Sequence, residues 1–273
     1  MNRSFIVIIA FITGLYAQAQ YSPYPIDDGF LFGDKEFSSR MTFPFETGSY
    51  RLRGVDNNVV FITVDDGPTS RVTNAVLDVL EEFDVPATFF VIGEKAARRP
   101  QDLRRMVRAG HSVANHTWKH RFDFATADIF IDSLMQSHQT LIPYIQNDLW
   151  LFRSPGGIWN SWRTNLGNSD RTLRKYVGPI FWNVGGGNPN RSDDADWKCW
   201  SKGVNIRTCS NSYIKQIYRN YEKGQASLVL MHDLKLSSAD LLREVLTALG
   251  RDRVNWQFKL LREIPSIKEY ARK

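Results

Sequence analysis

VVFITVDDGPTS, residues 59–70, is the stretch on which the fold turns. Val59 to Val64 is uncharged and rich in β-branched and aromatic side chains, the composition of a strand buried on both faces, as a parallel sheet requires. Two adjacent carboxylates, Asp65 and Asp66, close it, and Gly67 and Pro68 turn the chain away. Thr69 or Ser70 is placed to cap a helix predicted over residues 72–83. A strand that ends in paired acids and passes at once into a helix is the opening of a βα unit. The carboxyl ends of parallel strands are where such folds keep their chemistry.

Downstream the alternation continues. Strands are predicted over 87–92, 112–114, 149–152, 180–184, 228–231 and 256–260. Helices are predicted over 101–109 with Gly110 behind it, 128–145, 210–221, and 239–249 capped by Gly250. Strand and helix in turn imply a parallel sheet with right-handed crossovers. Closed into a barrel, that sheet brings every strand's carboxyl end to one rim.

Upstream, the basic start at Arg3, the apolar run Phe5 to Leu15 and the small-x-small site Ala17-Gln18-Ala19 read as a secretory signal peptide over residues 1–19. The run is too short to span a bilayer, so the expectation is a secreted or periplasmic protein with no membrane span in its mature form. Residues 20–50 read as an irregular lead-in and 51–273 as one catalytic domain, a reasonable length for a single α/β barrel. Export permits a disulfide between the two cysteines, Cys199 and Cys209, worth about 3 kcal/mol in the chain-entropy model. Net charge is +6, or +5 once Arg3 leaves with the leader, and the sequence pI is about 9.3. Export and the lack of a long Lys/Arg run argue against nucleic acid; a mild basic bias fits an anionic cell wall.

Three further strand ends carry chemistry. Residues 110–120 read GHSVANHTWKH, in which His116 and His120 are four apart, so one helical turn would set both imidazoles on one face, a spacing that suits a divalent metal. An HExxH peptidase shares the spacing, but Thr117 stands where its glutamate base is required. Phe152-Arg153-Ser154-Pro155-Gly156-Gly157 puts a fixed cation within reach of Asp65, and Leu230-Met231-His232-Asp233 ends the penultimate strand in a histidine.

In this order TVDDG, HTWKH, RSPGG, DDADW and LMHD resemble the five motifs of the polysaccharide deacetylase family, the NodB-homology carbohydrate esterases. The resemblance runs from about Val59 to Met231 and implies a distorted (β/α) barrel with fewer than eight repeats. It implies metal-dependent removal of N-acetyl, occasionally O-acetyl, groups from a sugar polymer. Carried over by position, Asp66, His116 and His120 are the metal ligands, for Zn²⁺ first and Co²⁺ or another divalent ion as alternatives. Two His and one carboxylate leave positions open for water and the acetyl oxygen. Asp65 is then the general base, Arg153 the cation that holds it, and His232 the acid that protonates the leaving amine. An aspartate of the fourth motif orients that histidine, with Asp196 the first choice.

Two departures mark this chain. Gly156 stands where the family usually has tyrosine, keeping the backbone N–H that faces the oxyanion beside Pro155 but losing a ring from the groove wall. A glycine-rich insertion, Gly185 to Ser192, precedes Asp193-Asp194-Ala195-Asp196-Trp197 and could re-aim Asp196 or bring Asp193 into its place, with the Cys199–Cys209 bridge stapling the enlarged loop. Of the tryptophans near these motifs, Trp197 is the expected sugar-stacking residue at the rim. The expected substrate is a cell-wall polysaccharide, peptidoglycan ahead of chitin. Acetylxylan and a degenerate, glycan-holding member are the alternatives.

Overall fold

The computed structural model describes residues 52, 54–121, 126–145, 149–186 and 195–270; the expected signal peptide, the lead-in and Asp193 lie outside them. In chain order the strands are β1 (Val59–Asp65), β2 (Ala87–Val91), β3 (Ser112–Asn115), β4 (Trp150–Leu151), β5 (Tyr176–Val177), β6 (Ser227–His232) and β7 (Gln257–Phe258). The helices are α1 (Ser70–Glu82), α2 (Gly93–Arg98), α3 (Pro100–Arg108), α4 (Ala127–Leu141), α5 (Ser161–Ser169), α6 (Asp196–Lys202), α7 (Ile206–Glu222), α8 (Ser237–Gly250) and α9 (Pro265–Tyr270). Every strand pair is parallel; β3-β2-β1-β6 run side by side, β7 pairs with the start of β1, and β4 pairs with β5.

The ring is not a continuous ladder of strands. A bridge between Asn115 and Phe152 joins β3 to the β4 end, and a second between Val184 and Val229 joins β6 to the segment after β5. Ile180 donates its N–H to the Phe152 carbonyl at 2.8 Å, so residues 178–184 cross between the two edges of the array as irregular chain. The strand expected over 180–184 is therefore replaced by the shorter β5 and a single bridge residue. Gly178 is the reason at the near end: a Cβ there would run into the Phe152 backbone.

Side-chain alternation along β1 sets the two layers. Val60, Ile62 and Val64 face outward, into the core shared with Val76, Leu77 and Leu80 of α1, Leu103 of α3, Ile217 of α7 and Leu242 and Val245 of α8. Val59 and Phe61 face inward, with Phe90, Ala114, Leu151, Val177 and Leu228. Full burial of such side chains is worth roughly 1.5–3 kcal/mol each. Continuing the inward parity reaches Thr63 and Asp65 on β1 and His232 on β6, and on past the end of β3 to His116. The inner face is apolar at the amino ends and polar at the carboxyl ends, and the register pairs Asp65 with both His232 and Phe90.

Helix α1 begins two residues earlier than expected, at Ser70. Thr69 occupies its N-cap position, but no side-chain cap is made; the Thr69 N–H instead donates to the Thr73 hydroxyl at 2.6 Å. Helices α2, α5, α6 and α9 had no counterpart in the sequence expectations, and among the described residues no helix is long and apolar enough to cross a membrane.

Candidate active site

Four strand ends meet above the inner core. Arg153 follows β4 with its side chain wholly inside the protein. Its Nη1 donates to Asp65 Oδ1 at 2.7 Å and to Thr63 Oγ1 at 2.8 Å, and its Nε and Nη2 donate to the carbonyls of Ile180 and Phe181 at 2.9 and 3.3 Å. The guanidinium lies 4.2 Å from the Phe90 ring centre. Burial pulls its pKa down from the usual value while Asp65 opposes the shift. Four hydrogen bonds and a facing ring make a buried cation tolerable, where an unpaired one would be expelled. The irregular crossing segment thus has a use: its two carbonyls complete the Arg153 seat.

Asp66, His116 and His120 converge beside it, with one potential ligand atom from each lying within 4.8 Å of the others. His120 Nε2 is 3.0 Å and His116 Nε2 3.4 Å from Asp66 Oδ1. The His116 Nδ1 sits 2.8 Å from the Arg153 carbonyl oxygen, which fixes the ring with Nε2 turned toward the acids. The expected helical turn is absent. Thr117 and His120 both take left-handed backbone, with φ of 68° and 52°, and a loop brings the rings to 4.9 Å between centres. Asn115 accepts from the Thr117 N–H and donates to the Leu134 carbonyl and the Tyr176 hydroxyl, holding this loop against α4 and β5.

These three residues fit a divalent cation. Asp66 Oδ1 is buried with the two imidazole nitrogens pointed at it but no well-aligned hydrogen bond among the described residues, an expensive arrangement for a carboxylate unless a cation sits between the three. Burial opposes ionisation of Asp66, but the close approach and charge of His116, followed by the charge of His120, hold it well below the usual carboxylate range. Burial, then the neighbouring His116, lowers His120 to about 4, which leaves its imidazole neutral and able to ligate at pH 7.

Across the β1–β6 pair stands His232. Asp196, at the first residue of α6 and fully buried, accepts from the His232 N–H at 2.6 Å and lies 2.8 Å from its Nδ1. Burial alone would lower the His232 pKa; the charge and hydrogen bond of Asp196, then the charges of Asp66 and Asp65, raise it to about 9. The insertion does not displace Asp196. Gly185 and Gly186 have φ of 105° and 86°, and a Cβ on them would overlap the Leu230 carbonyl and the Ala195 side chain. Those close approaches return the chain to β6. Tyr213 of α7 accepts from the Asp196 N–H at 2.9 Å and donates to the Leu230 carbonyl at 3.0 Å. The Cys199–Cys209 disulfide joins α6 to the first turn of α7, so it braces the helix that carries Asp196 and does not close the glycine-rich loop itself.

At the rim, Gly156 is exposed with φ of 60°, a backbone that would strain the tyrosine usual in the family, and Pro155 is buried beneath it. Trp197 is 37% exposed with Lys198 Nζ 5.3 Å from its ring centre. Trp200 faces His232 edge-on at 6.3 Å. Trp159 packs on Phe130 and Phe152, and Trp182 bonds the Gly186 carbonyl, so these two belong to the scaffold. Sequence reasoning missed Lys95, whose Nζ donates to the Asp66 carbonyl at 2.7 Å, and Tyr213; neither lies in a motif, and nothing in the sequence singles them out.

The family model described as polysaccharide deacetylase matches residues 53–169. A chitooligosaccharide deacetylase of Sinorhizobium fredii (strain NBRC 101917 / NGR234) is 62% identical over 177 residues, covering 64% of this chain and 71% of that protein. The peptidoglycan-N-acetylmuramic acid deacetylase PdaC of Bacillus subtilis (strain 168) is 31% identical over 201 residues, 71% of this chain but 37% of that longer protein. Its solved structure superposes with a TM-score of 0.58 at 23% identity, covering 79% of this chain and 94% of the solved one. A pseudoenzyme of the same fold from Bacillus anthracis superposes as well, with a TM-score of 0.58 at 19% identity over 76% of this chain and 65% of that one, so the fold by itself does not decide activity.

Proposed function

The chain belongs to the polysaccharide deacetylase family, and on that premise we propose that it is an exported, divalent-metal-dependent N-deacetylase of a GlcNAc-containing polymer, peptidoglycan ahead of chitin. The observation that carries the reading is the pairing, across adjacent strand ends, of an Arg153-held Asp65 with an Asp196-held His232, beside the Asp66, His116 and His120 cluster. That is two proton-handling groups beside one cation seat.

Asp66, His116 and His120 would hold the ion, Zn²⁺ in the first place, and the ion supplies Lewis acidity. Asp65 accepts the proton of the attacking water. Arg153 fixes its Oδ1, which leaves Oδ2, 3.6 Å from His116 Nε2, on the side of the ligand cluster. His232 begins as imidazolium, kept so by Asp196, and gives a proton to the departing amine, which cannot leave as an anion. The Gly156 N–H is the candidate donor to the oxyanion. Trp197 offers a flat apolar face to a sugar ring, and Lys198 beside it favours an anionic polymer. The apolar leader at residues 1–19 supports export.

A glycan-holding protein without turnover is the second reading, favoured by Gly156 alone. Acetate release from peptidoglycan, chitooligosaccharides and acetylxylan, with and without added Zn²⁺, tests both. Metal-dependent release from peptidoglycan or chitooligosaccharides is expected. Binding of glycan with no release from any of the three would leave the second reading.

A further inference from the structure

Asp233 follows His232 directly, is fully buried, and takes no part in the chemistry above. Its contacts converge on one place, the turn Asp65 to Thr69 that presents the base and the carboxylate ligand. The Asp233 N–H donates to the Asp65 carbonyl at 3.3 Å. Its Oδ2 accepts from the Thr73 hydroxyl, which in turn accepts from the Thr69 N–H. Between those two ends its carboxylate lies flat against Gly67, where a Cβ would overlap both carboxylate oxygens. The turn is therefore gripped at its first, middle and last residues by a single side chain and its own amide.

The opposite side of the turn is held by β2 and α2. Asp66 N–H donates to the Phe90 carbonyl at 3.2 Å, Ile92 N–H to the Gly67 carbonyl at 2.9 Å, and Lys95 Nζ to the Asp66 carbonyl at 2.7 Å. With both sides fixed, Asp66 is kept at a φ of 75°, a left-handed conformation uncommon for any residue but glycine and more accessible to aspartate than to most.

We propose that Asp233, acting through Thr73 and Gly67, is a positioning residue that holds the Asp65–Asp66 turn in register for base and metal ligand. It acts through shape and an acceptor oxygen, so Asp233→Asn keeps the function and Asp233→Ala loses it. The proposal rests on the roles given to Asp65 and Asp66, but its metal arm is read without any substrate.

The experiment measures Zn²⁺ affinity by competition with a chromophoric chelator, exchange of the Asp66, Gly67 and Thr69 amides in the metal-free protein, and kcat and KM on chitooligosaccharide. For Asp233→Ala the expected results are Zn²⁺ affinity weakened about 10- to 100-fold, as for other outer partners of ligands, faster exchange confined to the turn, and a fall in kcat with KM little changed. Asp233→Asn should stay within about threefold of wild type. Thr73→Ser should match wild type and Thr73→Val should share the Asp233→Ala defect. The double variant should do little more damage than either alone. These two Thr73 variants keep the test open if Asp233→Ala does not fold. Wild-type Zn²⁺ affinity and turn exchange in Asp233→Ala or in Thr73→Val would overturn the proposal. So would an Asp233→Asn as inactive as Asp233→Ala with metal affinity intact, since that pattern belongs to a carboxylate acting chemically. An inactive wild type that binds Zn²⁺ would instead sink the deacetylase reading and leave the metal and exchange arms to be judged alone.

Discussion

The pair of His232 and Asp196 decides how this site behaves with pH. An imidazole whose pKa rises on folding, here from 6.5 to about 9, adds stability that is fully present below the free value and is lost as pH climbs through about 9. Two consequences belong to Asp196→Asn, which keeps a hydrogen-bonding side chain but removes the counter-charge. The basic limb of kcat/KM should move down in pH, and the loss of Tm between pH 7 and 10 in the metal-free protein should be smaller than in wild type. A basic limb unmoved in Asp196→Asn but lowered in Asp193→Asn would put the orienting carboxylate at residue 193. Arg153 shows the other face of burial. Removing one partner of a buried pair leaves the other uncompensated at a typical cost of about 3–5 kcal/mol, which is why Arg153 cannot be treated as a surface salt bridge.

At the level of elements, what was legible in the sequence depended on whether a local pattern was left to act alone. The β1 run and the periodic apolar faces of α1, α3, α7 and α8 are local signals, and the elements appear within a few residues of their expected bounds. The β-branched and aromatic stretch Ile180 to Val184, broken only by Asn183, carries a strand signal too, but its ends are governed by Gly178 against Phe152 and Gly185 against Leu230, contacts between residues distant in sequence. The spacing of His116 and His120 points to convergence on a helical turn; the left-handed Thr117 and His120 bring the rings together by a loop that spacing cannot disclose. The position of Asp196 before Trp197 is legible in the sequence, but its place in the structure depends on Gly186 lying against Ala195. The disulfide that ties α6 to α7 belongs to this scale. Thiol titration of unfolded, unreduced protein should count no free thiol, and reduction should cost about 3 kcal/mol of stability. Two titratable thiols would show that the helices are held by packing alone.

For the whole molecule, the parallel array does one thing: it gathers groups from distant parts of the chain, at residues 65, 66, 116, 120, 153 and 232, at the carboxyl ends of its strands, with an apolar inner core beneath them. The side-chain geometry, more than the fold, separates an enzyme from a binder, because a related pseudoenzyme shares the fold. If Asp65 moves a proton in a metal-dependent deacetylation, acetate release from chitooligosaccharide by wild type and by folded Asp65→Asn at matched zinc content will show it. Metal-dependent release by wild type is expected, with a rate at least about a hundredfold lower in Asp65→Asn and Zn²⁺ affinity within about threefold, since a positioned proton-transfer group contributes about 10²–10⁴. Equal rates in the two proteins would contradict it.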